Sequence, residues 1–160
     1  MAFAPIYSLT SPIMNLSTYE NDFYAWTQQQ SQLLKTKQFH QIDWHHIAEE
    51  IADMGRAEKR ELESRLEVLI MHLLKWQFQP NLRSRSWQLT VKEQRLRLER
   101  LLKENPSLSA LLTDTLEKTY QLATISAERE TGLSSFPEIC PYNLTEIFAP
   151  EFLPEEKNMI

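Results

Sequence analysis

The chain has a single cysteine, two glycines and no long apolar run, and each shortage removes a class of protein. With Cys140 alone no internal disulfide can form, which fits a reducing compartment and leaves packing as the source of stability. Gly55 and Gly132 are too few to build the hairpins and corners of an all-β fold. No segment approaches the ~18 apolar residues that cross a bilayer. The opening residues lack the basic region and compact apolar core of a secretory signal. A cytoplasmic protein with no membrane partner is therefore expected. Basic charge is also short, with a formal net charge of −5, so nothing global draws the chain to nucleic acid or an anionic surface.

What the chain does have is ordinary globular material: 160 residues, 42% hydrophobic and 24% charged. At this length folding removes roughly 70% of the unfolded surface from water, enough for one core. The expected fold is all-α, a single helical bundle of about five helices with a short, Pro-rich, mostly extended C-terminal tail. Residues 1–16, uncharged and without period, read as an N-terminal arm. Residues 17–154 read as one domain, with 132–154 as the tail packed on it, and 155–160 as a frayed end.

Along the chain, Ser17 and Glu20 have capping-box spacing, which predicts a first helix over 18–35 with Phe23, Trp26, Gln30, Leu33 and Leu34 on one stripe. Asp43 caps a second helix whose apolar face is Trp44, Ile47, Ala48 and Ile51, with Met54 at its edge. Gly55 either ends that helix or lies inside one long helix running to Gln79. The segment 56–80 is the organising one. Leu62, Leu66, Leu69, Leu73 and Trp76 repeat at steps of four and three, and Ile70, Leu74 and Phe78 add a second stripe. Two stripes need more than one neighbour, which places this helix inside. Pro80 ends it. A helix from Trp87 carries Val91, Leu98, Leu101 and Leu102, and Asn105 with Pro106 predicts the cap and first turn of a helix over 106–130. Gly132 stands where a C-terminal cap belongs, and Asn143 with Glu146 starts one brief helix in the tail.

The blocks YENDFYAW, IAEEIADMGRAEKRELESRL, HLLKWQFQP and RSRSW occur in order, and with them the chain resembles the domain-of-unknown-function family numbered 29, a bacterial family seen mostly in photosynthetic species. The resemblance covers residues 19–154. It implies a compact helical fold and no activity. Relatives usually carry Asn at the position of His46 and Glu at that of Ala52, which weakens any carboxylate cluster here.

Four groups of residues carry candidate chemistry. His46, Glu49 and Asp53, with Glu50 beside them, have the three and four spacing that lines up oxygen and imidazole ligands for a divalent metal on one helical face, and the segment locally resembles the acidic helix of metal-dependent nucleotide pyrophosphohydrolases, which implies the alternative of a metal-dependent phosphohydrolase acting on a nucleotide. That face lies opposite the apolar stripe, so the plainer expectation is solvated charge. His72 and Lys75 interrupt the apolar half of the central helix and are the catalytic candidates, since desolvation shifts the pKa of such groups. Their plainer role is as polar pins, with His72 bonded to a carboxylate or carbonyl across the core. The basic stretch 83–103, with Arg83, Arg95 and Arg100, could follow phosphates, but the acidic stretch 43–67 can neutralise it within the fold or across a homodimer. Cys140 has no activating base at a telling spacing and is a packing residue. The balance favours a protein-interaction or scaffold module, with a protein partner or a homodimer ahead of nucleic acid. No cofactor is expected, and a divalent metal belongs only to the phosphohydrolase alternative.

Overall fold

In the computed structural model of the chain, which describes residues 18–156, the first helix begins at Asp22 rather than at residue 18. Its carboxylate accepts a hydrogen bond from the Ala25 N–H at 2.9 Å, satisfying one of the donors that a helix start leaves free. Helix α1 is Phe23–Lys35. Ser17, the arm 1–16 and the last four residues lie outside the described residues.

Helix α2 runs without a break over Trp44–Phe78, so Gly55 is interior. A glycine there costs about 1 kcal/mol relative to alanine, which the strong helix formers on both sides outweigh. Asp43 caps the start, its Oδ1 accepting from the His46 N–H at 3.3 Å. Pro80 stops the helix and opens a 3-10 turn, Pro80–Leu82. Ser84 then caps α3, Arg85–Glu104, by accepting from the Trp87 N–H at 3.3 Å.

The expected junction at Asn105 and Pro106 is different. Residues Pro106–Leu111 form a 3-10 helix, and α4 is Leu112–Thr131. Asn105 makes no side-chain cap; its amide nitrogen donates to Glu58 at 3.2 Å and to the Leu101 carbonyl at 3.2 Å. Gly132, at φ 72°, closes α4 in the left-handed conformation that glycine adopts without strain. In the tail, Asn143 and Glu146 form a reciprocal capping box at the start of α5, Leu144–Phe148. Among the described residues there is no strand, and the all-α bundle is the architecture observed.

The fold comprises two compact units, Met1–Asp53 and Met54–Ile160. In the first, Trp26, Leu33 and Ile42 are buried. The buried Gln30 is satisfied, its Oε1 accepting from the Asp43 N–H at 2.9 Å. In the second, the seam Leu62, Leu66, Leu69 and Leu73 is buried together with Ile70 and Leu74, as two stripes demand. Val91, Leu98 and Leu101 of α3, Tyr120, Ala123 and Ala127 of α4, and Tyr142 and Ile147 of the tail complete that core.

Candidate functional site

The first unit gathers a polar cluster around His46. Asp43 sits at the cap, one turn before Ile47, and its Oδ2 lies 2.7 Å from His46 Nδ1. A carboxylate can only accept, so Nδ1 carries the proton and donates. The Trp26 indole N–H donates to the same Asp43 oxygen at 3.2 Å. Burial pushes the Asp43 carboxyl up, but the hydrogen bonds from the His46 ring, the His46 backbone and Trp26 outweigh it and hold it below its ordinary value. The same bond to Asp43 raises His46 against the opposing effect of lost water.

Tyr19 covers this cluster. Its ring stacks on His46, with centroids 4.1 Å apart and planes 11° apart, and its hydroxyl donates to the Glu50 carboxylate. His46 is therefore half-buried rather than fully solvated as the face of a lone helix would be. His45 Nε2 stands 3.5 Å from Glu49 Oε1, and His46 Nε2 stands 3.9 Å from Glu20 Oε1. Of the residues proposed from the sequence as metal ligands, His46 and Glu49 come together and are joined by His45. Glu50 is held by Tyr19, and Asp53 is exposed one turn further on and outside the group. Tyr19 could not be paired with Glu50 by local spacing, because the two are 31 residues apart.

His72 and Lys75 occupy the second unit and play different parts. His72 Nδ1 donates to the Val68 carbonyl at 2.8 Å, one turn back on its own helix, so His72 does not tie two helices together as expected. Burial lowers its pKa, aided by the Lys75 charge and opposed by the Val68 bond and Glu130. Lys75 makes the crossing instead. It is 7% exposed, its ammonium donates to Glu130 of α4, and it lies 4.5 Å from the centre of the Trp87 ring. Pairing and aromatic cover satisfy its charge.

Several basic residues of the stretch 83–103 have partners within the fold. Arg95, 6% exposed, donates to the carbonyls of Ile147 at 2.8 Å, Pro150 at 3.1 Å and Phe152 at 2.8 Å, with a longer bond to Glu146 at 3.5 Å. It is a clamp on the tail. Arg83 donates from Nε to the Trp76 carbonyl at 2.8 Å and lies over the Trp76 ring, 4.9 Å from its centre. Arg100 pairs with Glu104 one turn on at 2.8 Å. Pairs such as Arg65–Glu61 at 3.0 Å and Arg97–Glu93 at 2.7 Å run along each helix, while Arg65 donates to Gln94 of α3 and Asn105, just past α3, donates to Glu58 of α2. Cys140 is half-buried, its thiol raised by burial and donating to the Tyr142 carbonyl at 3.4 Å, a packing residue as expected.

Residues 18–153 match the model of a family described as Domain of unknown function DUF29. No curated protein and no solved structure matches the chain. Among the described residues no helix is long and apolar enough to cross a membrane.

Proposed function

As the chain belongs to the DUF29 family, whose description assigns no activity, we propose from geometry that it is a protein-interaction module whose partner is a second copy of itself, docked on the bare stretch of α2. One observation carries this reading: every residue from 51 to 61 is exposed, a run of three helical turns. A solvated helical run is normally polar all round. This one presents Ile51 at 64% exposure and Met54 at 69%. Trp44, one face-repeat earlier, is 55% exposed.

The pattern along the helix says where a partner helix would lie. Steps of three and four from the buried Leu62 lead back through Glu58 to Gly55, Ile51, Ala48 and Trp44. Along this one helix the same spacing carries the exposed apolar residues Ile51, Ala48 and Trp44. At Gly55 a Cβ would meet no atom within 4 Å, so the backbone there is open to close approach by another helix.

Charge favours a second copy. The chain as a whole is at −5, yet residues 51–61 hold Asp53, Glu58 and Glu61 against Arg56, Lys59 and Arg60. An identical stretch laid against this one meets as many opposite charges as like ones, so net repulsion is absent where the helices meet. Crosslinking tests the arrangement. In a Cys140→Ser background, oxidation of Gly55→Cys gives a covalent dimer, and oxidation of Arg60→Cys, on the far side of the helix, does not. Absence of a dimer at Gly55→Cys, or equal yields at both positions, overturns the reading.

A further inference from the structure

The geometry points to a transition-metal site on the first unit, with His45 Nε2, His46 Nε2 and one Glu49 carboxylate oxygen as ligands. One ligand atom from each of His45, His46 and Glu49 lies within 4.8 Å of the other two, and His45 Nε2 is already 3.5 Å from Glu49 Oε1. A tetrahedral ion with bonds of about 2.1 Å sets its ligand atoms roughly 3.4 Å apart. The exposed side chains of His45 and Glu49, at 77% and 54%, are free to close the remaining gap by torsion alone. Helical spacing supplies the rest: positions 45 and 49 are one turn apart, and 46 lies beside them on the same side.

A second observation comes from outside this trio. Asp43 takes the proton-bearing Nδ1 of His46 at 2.7 Å, which fixes the tautomer that leaves the Nε2 lone pair bare. The Trp26 indole holds the same carboxylate oxygen at 3.2 Å, and the Tyr19 ring lies flat on the imidazole. A carboxylate behind the imidazole and a neighbour holding the ring plane are what ligating histidines have around them. Glu20 Oε1, 3.9 Å from His46 Nε2, comes from a separate segment and can add a fourth ligand. Glu50, bound by the Tyr19 hydroxyl, stays out.

The donor chemistry selects the ion. Two imidazoles and a carboxylate suit Zn²⁺, Co²⁺ or Ni²⁺, whereas Mg²⁺ and Ca²⁺ take oxygen ligands. The ion expected here is Zn²⁺.

The test uses the full chain without an affinity tag, stripped with chelator and dialysed, and titrated with ZnCl2 in a calorimeter. The expected result is one ion per chain at micromolar affinity or tighter, with MgCl2 giving no heat. CoCl2 in place of zinc gives the visible bands of a tetrahedral site. His45→Ala and Glu49→Gln, both exposed, each weaken zinc binding roughly tenfold or more with the helical circular dichroism unchanged, and Asp43→Asn weakens it about tenfold. Failure to bind zinc at micromolar concentration overturns the site. So does undiminished binding by both His45→Ala and Glu49→Gln.

Discussion

Tyr19 lies flat on His46, ring centroids 4.1 Å apart and planes 11° apart, while its hydroxyl donates to Glu50. One residue thereby covers a histidine and neutralises a carboxylate's demand for a donor. The bond to Glu50, then lost water, then the nearby negative charge of Glu50, Glu49 and Asp53 push the Tyr19 phenol up to about 12. Its ionisation, followed by the chemical shift of its ring carbons, is expected to be barely under way at about pH 11, where an ordinary tyrosine is mostly ionised. In Glu50→Gln the same resonance should move back toward the ordinary value. An ordinary titration in the unaltered chain contradicts the contact.

Arg95 makes a different kind of prediction, because its bonds end on backbone. Replacing it with alanine leaves the carbonyls of Ile147, Pro150 and Phe152 without their donor in a half-buried setting, and a loss of about 3 kcal/mol is expected. The tail should also become cleavable by protease before the rest of the chain. Urea unfolding and limited proteolysis of Arg95→Ala check both, and an unaltered midpoint with a protected tail rejects the clamp.

Much of the fold could be read from local pattern, since its signals lie within a few residues of what they control. Leu62, Leu66, Leu69 and Leu73 announce a buried seam by spacing, and Pro80, Gly132 and the Asn143–Glu146 pair announce their own turns and caps. The candidate site was legible only in part. Glu49 and His46 share a helix with His45, but Tyr19 and Glu20 arrive from a separate segment, and Lys75 finds Glu130 55 residues away. One signal in the sequence does anticipate Arg95. The apolar stripe of α3 skips from Val91 to Leu98, and the positions between them that face the core, Gln94 and Arg95, are both buried. A cation on an apolar stripe needs several acceptors nearby, and the tail carbonyls provide them.

The Lys75–Glu130 pair separates the cost of breaking a buried ion pair from the worth of having one. Glu130→Gln leaves a nearly buried ammonium with a weaker acceptor and should destabilise by about 1–3 kcal/mol, less than for a fully buried pair because Glu130 is 46% exposed. Lys75→Met, which removes charge and keeps length, should be close to neutral. Equal and large losses in both variants contradict this account.

His72 gives the second unit an acid-sensitive element. Its pKa is lowered by burial, with Lys75 adding to the effect and Val68 and Glu130 opposing it, so the folded chain favours the neutral ring. The unfolded chain then binds the proton more readily. The stability His72 contributes is complete above about pH 6.5, the ordinary histidine value, and is lost as pH falls through the lowered folded value. Urea midpoints across that range should fall less steeply for His72→Gln than for the unaltered chain, and parallel slopes reject the assignment.

The bare stretch of α2 is the centre of the functional account, and Ile51, at 64% exposure, is its most telling residue. Sedimentation equilibrium of the untagged chain over the micromolar range tests it most directly. The expected mass is that of a dimer, falling to a monomer in Ile51→Glu while both keep the same helical circular dichroism; a monomer mass for the unaltered chain at every concentration would contradict the account.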